Sequence, residues 1–140
     1  MEISEQVFYK EGYKFQLTRP LVAYTGIYLG EEVKTDYFTM TADGYVILVK
    51  GYAWNGASCF PDFDWIIRGS AIHDAGYQAL RLGLIPRRYK VVFDSILGIN
   101  CIEDRAIKIV AKAVHSAVVI FGVNALRASS EPLELAAPAH

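Results

Sequence analysis

The stretch Ser70-Ala-Ile-His-Asp-Ala-Gly-Tyr-Gln-Ala-Leu80 lies where the chain changes from a β-rich pattern to a helical one. The helical pattern begins at about Trp65 and predicts a first helix over residues 67–82, with Gly83 in a good position to end it. Residues four apart on a helix lie one above the other, so His73 and Tyr77 would share a face. The chain has only three histidines, which makes this face the main candidate for chemistry.

Two further helices are expected after the first. Pro86 can start a second helix that runs to about residue 100, and Asp104 can cap a third. Spacings of three and four residues predict the apolar positions of both helices. These are Val91, Phe93, Ile96, Leu97 and Cys101 in the second, and Ile107, Val110, Val114, Ala117, Val118 and Phe121 in the third.

The first half of the chain has the composition of β-structure. Asp43-Gly44 lies between two β-rich runs, which is the strongest short-range signal for a hairpin. We therefore expect a small antiparallel sheet or meander. The predicted strands are rich in β-branched and aromatic residues and cover residues 7–9, 15–17, 21–29, 37–41 and 45–49.

Together these patterns predict an α+β fold, a small N-terminal antiparallel sheet followed by a three-helix C-terminal half. We expect a single domain over residues 1–128, β-rich over 1–58 and helical over 66–128. Residues 129–140 are rich in proline and alanine and lack a helical face. They are interpreted as a disordered tail or an assembly arm.

Composition argues against several classes of protein. Fourteen basic and fifteen acidic residues give a net charge of −1, so there is no basic excess for binding nucleic acid. The N-terminus predicts no secretory signal. The apolar run over residues 106–126 contains Lys108, Lys112 and His115, so a buried helix is expected rather than a transmembrane segment. Cys59 and Cys101 are too few for a disulfide framework or a zinc site, and whether they pair stays open.

Two motifs carry a family resemblance. Gly51-Tyr-Ala-Trp-Asn-Gly-Ala-Ser58, followed by Arg68-Gly-Ser-Ala-Ile-His-Asp-Ala-Gly-Tyr-Gln-Ala-Leu-Arg81, resembles the DUF1353 family of phage and prophage proteins. The likeness extends to Asp94 and to Val119-Ile-Phe-Gly122. One position departs from the family pattern, because Asn55 stands where an aspartate is expected. The resemblance implies a phage protein with a role in the virion or in the host.

A second resemblance is local. The sequence His-Asp-x-x-Tyr on one helix, with an aspartate on the next, is similar to the catalytic helix pair of secreted phospholipases A2. It implies that His73 is a general base, that Asp94 orients its ring, and that Tyr77 hydrogen-bonds to Asp94. It also implies that Asp74 faces a divalent cation such as calcium. The glycine-dense calcium loop and the disulfides of those enzymes are absent from this sequence.

The same residues fit an interpretation without chemistry. His73 could be a buried histidine whose nitrogens are satisfied by Asp94 or Tyr77, which would lock two helices together. Aromatic residues in the connector often cover the end of a core. They could also line a pocket beside His73, and the candidate pocket residues are Trp54, Asn55, Ser58 and Trp65.

The leading functional prediction is a phage-encoded structural or accessory protein of the virion, made in the bacterial cytoplasm. It would be a tail or tail-tip component, acting by protein–protein docking in a multi-copy assembly with other phage proteins. This prediction needs no cofactor. The first alternative is an ester hydrolase that acts on the host envelope through His73 and Asp94, with calcium as a possible cofactor. The second alternative is a host-directed binding protein.

Overall fold

A computed structural model describes residues 1–10, 15–56 and 63–127 of the chain. It confirms the predicted α+β class, with antiparallel strands in the N-terminal half and three helices in the C-terminal half. The chain divides into two compact units. The first contains Met1–Asn55 and the second Gly56–Leu133.

Over residues 1–10 and 15–55, the strands of the first unit form two sheets rather than the single small sheet expected. One has the order β1-β2-β7 and the other the order β3-β6-β5-β4, and every pair is antiparallel. The strands are β1 Tyr9–Lys10, β2 Phe15–Leu17, β3 Leu21–Tyr24, β4 Val33–Lys34, β5 Phe38–Met40, β6 Tyr45–Leu48 and β7 Ala53–Trp54.

The predicted hairpin at Asp43-Gly44 joins β5 to β6. Met40 pairs with Val46, and the turn is closed by backbone hydrogen bonds between Thr41 and Tyr45 and between Gly44 and Thr41. Gly44 has a φ of 99°, which a side chain would disfavour. The Asp-Gly signal therefore predicted the correct turn, because this turn needs a glycine at positive φ.

The predicted strand over residues 21–29 is too long. It ends at Tyr24 because the backbone turns at Thr25 and Gly26, where Gly26 has a φ of 71°. The Thr25 hydroxyl donates to the Gly44 carbonyl and accepts from the amide of Ile27, which satisfies the polar groups of this turn. Alternate residues of the larger sheet form one buried apolar face, made by Leu21, Ala23, Phe38, Met40, Val46 and Leu48.

The first helix, α1, covers Asp64–Arg81. As predicted, Gly83 terminates it. Gly83 has a φ of 70°, and its amide donates to the carbonyl of Leu80. The amide of Leu84 donates to the carbonyl of Ala79. These two bonds form a Schellman cap, which requires a left-handed residue at the position of Gly83.

A 3₁₀ turn, Arg87–Tyr89, leads into α2, which covers Lys90–Glu103. The third helix, α3, covers Lys108–Arg127. Asp104 does not cap α3 as predicted, because it is the C-cap residue of α2 and its carboxylate binds Arg68. No helix among the described residues is long and apolar enough to cross a membrane.

The apolar pattern located the buried faces of α2 and α3 only in part. Phe93, Leu97 and Cys101 are buried as predicted, whereas Val91 is exposed. In α3, Val114 is buried, but the predicted core position Phe121 is exposed, as is Ile107, which directly precedes the helix. The helices share a core cluster formed by Ile66, Leu97, Cys101, Ala111 and Val114.

Candidate functional site

The carboxylate of Asp94 lies at the centre of a buried polar cluster in the helical unit. Its side chain is 0% exposed. The Oδ1 atom lies 2.9 Å from His73 Nε2 and accepts a hydrogen bond of 2.7 Å from the Tyr77 hydroxyl. The Oδ2 atom accepts a bond of 2.6 Å from Lys90 Nζ. We call these four residues the Asp94 cluster.

Helix geometry places the two α1 members of the cluster side by side. His73 and Tyr77 are four residues apart, and their ring centroids are 4.1 Å from each other. Gly76 lets α2 approach this face, because a Cβ at position 76 would overlap the ring of Phe93. Gly122 has the same role for α3, since a Cβ there would overlap the Tyr77 hydroxyl. Both glycines are thus required by close packing around the cluster.

Lys90 was missed as a member of the site by the sequence analysis. It lies one helical turn before Asp94, so the spacing of four residues was an available signal. Its ammonium group also donates to the carbonyls of Val119, at 3.2 Å, and Val118, at 3.5 Å. Lys90 therefore connects the carboxylate of α2 to the backbone of α3.

The cluster controls the charge of Asp94. Burial alone would raise the pKa of this carboxyl, but hydrogen bonds from His73, Lys90 and Tyr77 outweigh burial and hold its pKa below the ordinary value. Burial raises the pKa of Tyr77, and its hydrogen bond to Asp94 adds to the effect. Asp94 is consequently an anion. Tyr77 keeps its proton and donates a hydrogen bond to the Asp94 carboxylate.

The two nitrogens of His73 have different surroundings. Nε2 faces the Asp94 carboxylate, which accepts but cannot donate, so Nε2 carries a proton. Within the described residues, Nδ1 has no hydrogen-bond partner. The side chain is 15% exposed, so the ring is not sealed from solvent. In the neutral imidazole the Nδ1 lone pair can accept a proton from water.

Asp74, the predicted cation ligand, is half-buried on α1 beside His73. Among residues 1–10, 15–56 and 63–127, no three histidine, cysteine, aspartate or glutamate side chains converge as a metal site would require. A calcium ion at Asp74 stays a prediction.

The predicted pocket residues lie in both units. In the first unit, Trp54 is buried on β7 and packs at 5.5 Å from Phe15, while Asn55 is exposed. In the second unit, Trp65 stacks on Phe63 at 5.1 Å. Ser58 falls outside the described residues, so its place in the pocket stays a prediction.

Two further candidate residues, His115 and Cys101, lie in the helical unit. His115 packs against Gly98 of α2 and lines an apolar groove of about 240 Å³ between α2 and α3. Cys101 is a buried thiol, and burial raises its pKa to about 11, which makes it a poor nucleophile at neutral pH. Cys59 lies outside the described residues, and the question of a Cys59–Cys101 pair stays open.

A second ionic group fixes the ends of α1 and α2. Arg68 is buried, and its Nε and Nη2 atoms each lie 3.0 Å from a carboxylate oxygen of Asp104. Nη2 also binds Glu103 at 2.8 Å. These bonds join the first half of α1 to the C-terminal end of α2.

Comparisons with known protein families, with curated proteins and with solved structures found no match. The resemblances to the DUF1353 family and to phospholipases A2 therefore stay predictions based on the quoted motifs.

Proposed function

We propose that this protein is an ester hydrolase in which His73 is the general base. One observation carries the proposal: His73 Nε2 is bonded to a fully buried carboxylate, while Nδ1 has no partner among the described residues and the ring reaches solvent. In this proposal Asp94 fixes the ring, and the Nδ1 lone pair accepts a proton from water.

Each member of the Asp94 cluster has a role in this proposal. His73 Nδ1 removes a proton from water as the water oxygen bonds to the ester carbonyl carbon. The imidazolium then returns that proton to the alkoxide as the carbon–oxygen bond breaks. Asp94 stabilises the imidazolium and holds the ring. Lys90 and Tyr77 hold Asp94, so they are positioning residues.

Lys90 supplies the counter-ion of the Asp94 carboxylate in this proposal. Asp94 already has a cation in contact, because Lys90 Nζ lies 2.6 Å from Oδ2. A buried carboxylate with one counter-ion does not require a second one from His73.

The test is a panel of p-nitrophenyl esters of increasing acyl length, assayed with wild-type protein and with His73→Gln. We expect wild-type turnover above the uncatalysed rate, and a loss of about 10²- to 10⁴-fold in the variant, which is the usual contribution of a general base. His115→Gln is the matched control, since His115 lies at the α2–α3 groove.

Two results would contradict the proposal. One is the absence of turnover by wild-type protein on every ester. The other is equal turnover by wild type and a folded His73→Gln. A lower melting temperature of His73→Gln, with no other effect, would instead support the helix-locking interpretation of the Asp94 cluster.

A second candidate function is docking in a phage virion, and a different observation favours it. Tyr24 and Tyr28 are exposed in the first unit, where their hydroxyls contact each other, and the Tyr24 ring packs on Tyr45 at 5.2 Å. Exposed tyrosines are enriched at protein–protein interfaces. If the protein docks in this way, purified particles contain the chain. The double variant Tyr24→Ser, Tyr28→Ser should then lower its copy number per particle.

A further inference from the structure

The outer face of α3 is apolar although it is exposed. Ile109 is 74% exposed, Ile120 64% and Phe121 55%. Most of the outer positions fall three or four residues apart, so they form one stripe along the helix. We call this stripe the α3 outer face. Its residues are Ile109, Lys112, Ala113, Ser116, Ile120 and Val123, with Val119 and Phe121 at its sides.

The charges of α3 all have the same sign. Lys108 and Lys112 are exposed near its beginning, Arg127 is its last residue, and its sequence contains no aspartate or glutamate. The α3 outer face thus combines exposed isoleucine and phenylalanine with cations. That combination is typical of helices that lie in the interface of an anionic membrane.

We propose that the α3 outer face binds the surface of an anionic lipid bilayer, with the helix parallel to the membrane plane. The apolar side chains would enter the boundary between headgroups and acyl chains. Lys108 and Lys112 would extend to lipid phosphates, because a lysine can bury its stem while its charge stays in the polar layer. The proposal concerns attachment and does not depend on hydrolysis.

A second copy of the chain fits this face less well. Lys112 and Ser116 lie near the middle of the stripe, and a symmetric contact between two α3 helices would bury them. Neither helix has an acid to pair with the lysine, and an unpaired buried cation is costly. A lipid surface supplies that negative charge.

The apolar surface continues onto α2. Lys112 also lines the groove of about 240 Å³ between the helices, together with Ile99, Ile102 and Ala111. Ile99 and Ile102 are themselves exposed. The groove therefore extends the apolar area beside the α3 outer face and gives an inserted acyl chain a place to pack.

The experiment is co-sedimentation of the full chain with vesicles of phosphatidylcholine alone or mixed with phosphatidylglycerol. We expect binding to the mixed vesicles, and weaker binding to the neutral ones. Ile120→Ser with Phe121→Ser should lower the partition coefficient by at least about tenfold, since the two side chains lose their insertion. Lys112→Gln should lower it by about fivefold on mixed vesicles alone.

Ile3→Ser is the matched control, because Ile3 is an exposed isoleucine of the first unit. Its partition coefficient should equal that of wild type, and circular dichroism should show that every variant is folded. The proposal is overturned if wild type does not sediment with mixed vesicles, or if the α3 variants bind as well as the control does. It is also overturned if the α3 variants convert an oligomer into a monomer, which would assign the face to a second copy. Vesicle binding without ester turnover would contradict the proposed hydrolase and leave this inference in place.

Discussion

Asp94 joins the side chains of α1 and α2 in the helical unit. Its carboxylate is completely buried and is bonded to three side chains from α1 and α2, two of which, Tyr77 and Lys90, also reach the backbone of α3. Such a group is costly to bury alone and is tolerated because every partner is in place. The same arrangement orients His73, so stability and proposed chemistry rest on one side chain.

Asp94→Asn should lower the free energy of unfolding by about 3 kcal/mol at neutral pH, since Lys90 then loses its counter-ion. The pKa of Asp94 is lowered in the folded state, so its stabilising contribution exists above the unfolded pKa of about 4 and is lost as pH falls through the folded value. The difference in free energy of unfolding between wild type and variant, measured by urea unfolding, should therefore shrink below about pH 4.

Asp36→Asn is the control for that experiment, because Asp36 is exposed in the first unit. It should unfold like wild type at neutral pH. A gap for Asp94→Asn that stays constant from neutral to acid pH would contradict the stated role of the carboxylate.

Gly76 is a second residue whose identity the packing requires. Gly76→Ala should destabilise the protein by about 2 kcal/mol, because the new methyl group meets the buried Phe93 ring and strain exceeds the gain in helix propensity. Thermal unfolding measures this loss. Gly76→Ala should cost less when it is made in a Phe93→Leu chain, because the smaller side chain leaves room for the new methyl group. A Gly76→Ala variant as stable as wild type would refute the close-packing argument.

Among the structural elements, the C-terminal end of α2 is the clearest case of strain. Arg105 has a φ of 75°, and it occupies the position in a Schellman cap that Gly83 occupies after α1. The amide of Ala106 donates to the carbonyl of Cys101, and that of Arg105 to the carbonyl of Ile102. A side chain is thus held in a left-handed conformation that favours glycine.

Arg105→Gly should stabilise the protein by about 1 kcal/mol and raise its melting temperature by a few degrees. Arg105→Ala removes the same exposed side chain without relieving the φ angle, so it is the matched control and should give no such gain. Equal stabilisation by glycine and alanine would show that the charge, and not the backbone, is responsible.

The ion pairs that join α1 to the end of α2 should differ in strength. Asp104 is mostly buried and meets Arg68 with both oxygens, whereas the Glu103 side chain is 56% exposed. Asp104→Ala should therefore cost about 3 kcal/mol and Glu103→Ala less than about 1 kcal/mol. Chemical denaturation of both variants checks this order, and equal losses would contradict it.

The helices show what the sequence could and could not predict. The spacing of His73 and Tyr77, and the glycine at the end of α1, predicted local geometry correctly because both depend on neighbouring residues in the chain. The buried positions of α3 were harder, since Ile107 and Phe121 are as apolar as Val114 but are exposed. A helix that is apolar on several sides does not define which face packs.

At the scale of the whole molecule, the α+β class followed from the change of pattern near Trp65. The division of the strands into two sheets did not, because β7 pairs with β2 across a long stretch of chain and its register depends on tertiary packing. Lys90 was missed for a related reason: its spacing to Asp94 was visible, but its bonds to the α3 carbonyls depend on how the helices pack.

The most direct test of the proposed hydrolase is the tautomer of His73, read from long-range ¹H–¹⁵N nuclear magnetic resonance spectra of the full chain in mildly alkaline buffer. The proposed hydrolase requires a proton on Nε2, shared with Asp94, and an unprotonated Nδ1. A proton on Nδ1 under those conditions would contradict it, because no lone pair would then face water.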